Sequence, residues 1–96
     1  MRYNTKCTVW HKQPDGAFIT QHYPCWWQDT EAENIAKTPL LAVVDKSDYI
    51  AKGDIDFDVT ASVAELLKAV SPLKISTVER KDYGSPIMRH TEVTAK

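Results

Sequence analysis

Glycine is scarce in this chain, and so are cysteine, long apolar runs and charge of a single sign. Each scarcity excludes something. The glycines are Gly16, Gly53 and Gly84, all in turn-like contexts, so no glycine-rich loop can cradle a phosphate. No P-loop, dinucleotide fingerprint, HExxH helix or nucleophile elbow is present. The two cysteines, Cys7 and Cys25, are too few for a disulfide framework and read as reduced thiols. No apolar run approaches the ~20 residues a membrane-spanning helix needs. The opening MRYNTKCTVW lacks the apolar core of a signal peptide, which leads to the expectation of a cytoplasmic product. Lys and Arg number 12 against 13 Asp and Glu, a net charge of −1. With no basic stripe, that balance argues against bulk nucleic-acid binding.

What remains is an ordinary globular composition, 43% apolar with three tryptophans. It suits a single domain over residues 1–96 with one modest core. The charge is unevenly spread. Residues 1–28 carry three Lys/Arg against one acid, residues 29–65 three against nine, and residues 66–96 six against three. The plain reading is a solvated surface. The sharper reading is a chain whose acidic middle meets basic segments of a neighbouring subunit.

Periodicity gives the elements. TKCTVWHK alternates Thr5, Cys7, Val9 and His11 with Lys6, Thr8, Trp10 and Lys12, which is a strand. Gln13–Gly16 is a turn, with Pro14 presetting φ and Gly16 tolerating positive φ. AFITQHYPCWW is the partner strand, and Pro24 makes it an edge or a bulge there. Residues 29–37, DTEAENIAK, read as a short helix or an ordered loop. LLAVVDK, Leu40 to Lys46, has strand length. Ile55, Phe57 and Val59 alternate with Asp54, Asp56 and Asp58 as a half-buried strand. Ser62 and Glu65 then form a capping box, Val63, Leu66, Leu67 and Val70 follow at helical spacing, and Pro72 ends the helix. LKISTVERKDYG reads as a strand, Asp82–Pro86 as a turn and IMRHTEVTA as the last strand. The expected fold is mainly β (α+β), a small β-barrel or sandwich of about six strands. One helix, about residues 62–70, lies between strands four and five.

Two sets of residues invite a metal reading. Asp54, Asp56, Asp58, Ser62 and Glu65 stand at calcium-loop positions, but the sixth position is Val59, where that loop needs glycine. Cys7, His11, His22 and Cys25 could ligate zinc, but His22 and Cys25 point to opposite faces of a regular strand. The expectation is no metal, no cofactor and no catalytic residue. The capping-box reading instead predicts that Ser62→Ala costs ~1 kcal/mol. Trp26 and Trp27 are adjacent, so one faces the core; the other lies on a neighbouring loop or anchors an interface. The candidate interaction residues are Trp26 and Trp27, the acidic Asp54, Asp56 and Asp58, and the basic Lys74, Arg80, Lys81 and Arg89. Reversing Arg80 and Lys81 is expected to leave the fold intact.

YNTKCTVWHK, HYPCWWQDTEAENIAK, YIAKGDIDF and the tail from SVAELLKAV to the last residue together resemble small structural proteins of tailed phages and prophages. The resemblance is to minor-capsid or head–tail connector proteins encoded between portal and tail genes in Gram-positive hosts. It implies a β-barrel-like subunit that assembles as a ring beneath the portal, with portal or adaptor and tail proteins as partners and no cofactor. It implies assembly in the host cytoplasm, residence in the virion neck, and a monomer or small oligomer in isolation. The rival reading is a small protein-binding module or inhibitor acting through the tryptophan-bearing hairpin.

Overall fold

A computed structural model describes residues 3–60, 62–84 and 88–96. Its strands are β1 (Thr5–Lys12), β2 (Phe18–Asp29), β3 (Asn34–Thr38), β4 (Tyr49–Lys52), β5 (Leu73–Lys81) and β6 (His90–Ala95), with helix α1 (Val63–Ala69) between β4 and β5. They close into an antiparallel barrel in the order β1-β2-β3-β6-β5-β4. The expected mainly β fold, with its helix after the fourth strand, is therefore observed, and the barrel replaces the sandwich alternative. No helix among the described residues is long and apolar enough to cross a membrane.

The Gln13–Gly16 turn starts the fold. Gly16 takes φ +90°, its N–H donates to the Gln13 carbonyl at 2.9 Å, and Asp15 Oδ1 accepts from the Ala17 N–H. This fixes the register of β1 on β2 from Thr5↔Cys25 to Lys12↔Phe18. β2 is long enough to serve two neighbours. Its first part pairs with β1, and Trp26–Asp29 pair with β3. Pro24, at the changeover, needs no donor toward β3. Inward residues alternate along the hairpin: Cys7 and Val9 on β1, and Cys25 and Trp27 on β2, join Ala36, Ile50, Ile75, Val93 and Ala95 in one core.

The alternation breaks once, in β5. Ile75 pairs with Ala95, Thr77 with Thr94 and Val78 with Val93, so the register shifts between Ile75 and Thr77. Ser76 is the extra residue of a bulge, and its hydroxyl donates to the Thr94 carbonyl at 3.0 Å. A bulge reverses the facing of everything after it. Val78 therefore joins Ile75 against the core, and Arg80 shares the inward parity of Val78.

Three local expectations are corrected. Residues 34–38 form β3, where a helix or loop was expected, because β2 and β6 pair with them on both sides. That tertiary pairing overrides the weak strand propensity of Ala and Lys. Leu40–Lys46 belongs to no strand and begins in a turn, where the Ala42 N–H donates to the Pro39 carbonyl at 3.0 Å. Residues 54–59 do alternate, with Ile55, Phe57 and Val59 half-buried and the aspartates exposed, yet they join no sheet. Of the last turn, Asp82 to Gly84 are described, whereas Ser85 and Pro86 lie outside the described residues, as does Ile87 at the head of the last expected strand.

Beyond the Gly53 N–H, which donates to the Lys6 carbonyl at 2.7 Å, side chains hold the 53–59 segment to the outer face of the β1–β2 hairpin. The fully buried Thr8 hydroxyl donates to the Gly53 carbonyl (2.9 Å) and accepts from the Ile55 N–H (2.8 Å). Further along, Trp10 Nε1–H and the Thr20 hydroxyl both donate to the Phe57 carbonyl, at 2.8 and 3.2 Å. Trp10 points out of the barrel yet is 0% exposed; this strap explains how an outward tryptophan on a strand leaves water. Ser62 is the N-cap of α1, but its side chain makes no cap bond. Glu65 reaches back instead to the Thr60 N–H and hydroxyl. The capping box is thus absent although the helix start is where the sequence put it.

Thr8→Val keeps the shape and removes both strap bonds. It should cost about 2 kcal/mol, since two half-buried backbone groups lose partners. Ser62→Ala should cost less than about 0.5 kcal/mol. Urea denaturation of the two variants checks both values, and a larger loss for Ser62→Ala would restore the cap.

Candidate functional site

The loop between β3 and β4 is the most unusual surface of the molecule. Residues 40–44 pair with no strand, so beyond the Ala42 N–H, which donates to the Pro39 carbonyl at 3.0 Å in a turn, their backbone groups need other partners. Arg80 supplies most of them. Its Nη1 donates to the carbonyls of Leu40 (2.9 Å) and Ala42 (3.2 Å) and to Thr91 Oγ1 (3.1 Å), and Nη2 reaches the Val44 carbonyl at 3.4 Å. The Thr91 hydroxyl donates to the Leu40 carbonyl at 2.8 Å, and the Val43 N–H donates to the Tyr23 hydroxyl at 3.0 Å. With the backbone held this way, alternate side chains divide. Ala42 and Val44 enter the core, while Leu41 is 88% exposed and Val43 42% exposed. A shallow cleft lined by Leu40–Asp45, Arg80 and Asp82 runs beside them.

The candidate residues from the sequence fall into separate places. Trp27 is a core residue, its Nε1–H donating to Asp29 Oδ1 and its N–H to Asn4 Oδ1, both at 3.0 Å. Trp26 faces outward and is half-buried, with Lys37 Nζ 4.7 Å above its ring, a cation–π contact. Asp54, Asp56 and Asp58 are exposed along the strap, and Asp54 Oδ1 lies 2.7 Å from His22 Nδ1. Lys74 is exposed. Arg89 pairs with Asp82 at 3.4 Å, and Lys81 with Glu92 at 3.6 Å; Glu92 first and Glu79 next hold the Lys81 ammonium above the usual lysine range. Arg80 is different in kind. Its side chain is exposed, yet it bonds the carbonyls of Leu40, Ala42 and Val44, so reversing its charge is expected to remove that support of the 40–44 loop.

The proposed zinc ligands are not brought together. Cys7 and Cys25 sit side by side in the core, both 0% exposed. A shared thiol hydrogen bond, then burial, push Cys7 up, and the same bond lowers Cys25. His22 is on the outer face with the strap. His11 lies at the far end of β1, where its Nδ1 is 2.6 Å from the buried Asp48 Oδ2 and 3.7 Å from Asp45 Oδ2. Among the described residues, His11, Asp45 and Asp48 form a group able to share one metal ion. Sequence reading did not single out Asp45 or Asp48. Nothing in their spacing from His11 signals a contact that the β1–β4 pairing alone creates.

Residues 41–96, more than half of the chain, match a protein family described as a family of unknown function, DUF6751. The chain belongs to this family. No curated protein and no solved structure matches it. In this DUF6751 member the matched part holds Leu41 and Val43, the strap, α1 and the Arg80 clamp, while the β1–β2 hairpin lies before it.

Arg80→Ala should destabilise the domain by about 2 kcal/mol, the scale of charged hydrogen bonds lost to backbone carbonyls. Arg80→Lys should recover little of this, because an ammonium cannot fork across several carbonyls. Urea denaturation gives the magnitude, and faster hydrogen exchange at the Val43 amide locates it. Cys7 and Cys25 should resist an uncharged thiol reagent until the protein unfolds; rapid labelling of the native protein would contradict their burial.

Proposed function

We propose that this chain is a structural assembly subunit of a tailed phage or prophage, a head-closure or head–tail joining protein forming a ring at the portal vertex. It acts by contact and not by catalysis. The phage setting rests on the sequence resemblance, which runs from YNTKCTVWHK to the final residues. The observation that supports action by contact is the 40–44 loop. A guanidinium and two hydroxyls fix its backbone, so Leu41 and Val43 are presented to solvent without the ordering cost of a flexible loop. Apolar side chains held out in this way suit burial against another protein. The proposed partners are portal or adaptor and tail proteins. The proposed location is the host cytoplasm during assembly and the virion neck afterwards. Lys74 and the strap aspartates would set register between neighbours, since exposed ion pairs contribute only ~0–1 kcal/mol each. The tryptophan hairpin is a poorer anchor, because Trp27 is spent in the core and Trp26 lies under Lys37.

Mass spectrometry of purified tailed particles, with electron microscopy of the neck, tests the reading. The chain should be present in particles and should occupy a ring; its absence from virions and assembly intermediates would overturn the proposal. A Leu41→Asp/Val43→Asp double variant should melt like the wild type and remain a monomer or small oligomer. Its particle yield should fall about tenfold or more, the factor that ~1.4 kcal/mol of lost contact gives.

A further inference from the structure

We propose that His11, Asp45 and Asp48 form a binding site for a transition-metal dication of the zinc class. The ligand atoms come from two places that the barrel brings together, the end of β1 and the turn before β4. The turn is tightly built: the Asp48 N–H donates to the Asp45 carbonyl at 3.1 Å, the Ser47 N–H to the Ile75 carbonyl at 2.9 Å, and Ser47 takes φ +77°. That strained residue places both carboxylates on the side facing His11. His11 Nδ1 and one oxygen of each aspartate all lie within 4.8 Å of one another.

The separations suit one ion. Zinc bonds of ~2.0–2.2 Å in tetrahedral array put neighbouring ligand atoms about 3.4 Å apart. Here His11 Nδ1 is 3.7 Å from Asp45 Oδ2, too long for a hydrogen bond but suited to two ligands on one metal. His11 Nδ1 and Asp48 Oδ2, at 2.6 Å, share a proton. For Nδ1 to bind a metal that proton leaves it, to Nε2 in a neutral imidazole or to solvent from an imidazolium, and the pair opens by under an ångström. Asp48 is preorganised for this. It is 3% exposed, its Oδ1 accepts from the Lys12 N–H at 3.1 Å, and its Oδ2 accepts from the Asp45 N–H at 2.9 Å. Ligating carboxylates are commonly fixed by such outer hydrogen bonds.

The structural alternative is a plain His–Asp tie between β1 and the turn. It explains His11 and Asp48 but gives no part to the Asp45 side chain. That side chain is 69% exposed and still directs an oxygen toward the imidazole. Its exposure also provides the entry path and a fourth position for water, on a cleft lined by Gln13, Pro14 and Ser47. An imidazole with two carboxylates selects a zinc-class ion over calcium, which needs six to eight oxygens. Lys12 and Lys46 line the same cleft, and their positive charge opposes a dication there.

Titration of the purified full chain with zinc chloride, followed by calorimetry and by thermal unfolding, tests the site. One zinc should bind per chain, and the melting temperature should rise with zinc. Asp45→Ala keeps the turn's backbone bonds and should fold normally, yet bind zinc at least about tenfold more weakly. Cobalt should give a visible spectrum without a thiolate charge-transfer band, and His11→Gln should abolish it. No binding at millimolar zinc, wild-type affinity in the folded Asp45→Ala variant, or a thiolate band pointing to Cys7 and Cys25 would each overturn the proposal.

Discussion

One guanidinium decides how this barrel finishes. The segment that leaves β3 cannot join the sheet, because β3 is already paired on both sides. Arg80 donates to its Leu40, Ala42 and Val44 carbonyls, and the Thr91 hydroxyl shares the first of them. Arg80 can serve them because the Ser76 bulge gives it the strand parity of Val78 on β5. The planar fork then does what a neighbouring strand would otherwise do, satisfying successive carbonyls from one side chain. The buried Ala42 and Val44, the exposed Leu41 and Val43, and the path into the Asp45–Asp48 turn all depend on it.

A second constraint acts on the opposite side of the same sheet. Trp10 follows the inward Val9 on β1, so alternation points it out of the barrel. It is buried on the outer face of β1 under a strap that is fixed by Thr8, Thr20 and the Trp10 indole itself. The domain therefore has two apolar layers, one within the barrel and one under the strap. This is how a chain of this length removes a large aromatic from water without a second sheet.

These two devices leave distinct surfaces. One is apolar and rigid, at Leu41 and Val43. Another is acidic and extended, along Asp54, Asp56 and Asp58. The first borders the open cleft lined by Leu40–Asp45, Arg80 and Asp82. The DUF6751 match covers both surfaces and the clamp that builds the first, so the same features can be sought in any member whose structure is solved.

The sequence alone determined the class of fold, the hairpin and its turn, the helix and its start, and the split of Trp26 and Trp27 between surface and core. All of these rest on local signals: period-two and helical spacing, a Pro–Gly turn, and the alternation of neighbours on a strand. Tertiary structure decided the rest. Residues 34–38 became a strand because two partners paired with them, and 54–59 did not because hydroxyls and an indole reached them first. Arg80 looked like ordinary surface charge, and the bulge that gives it the strand parity of Val78 has no signature in LKISTVERK. Asp48 carried no signal of its own, and only the closure of β4 on β1 brings it to His11. Side chains that act on distant backbone carry no period, so they become legible only when the chain has closed.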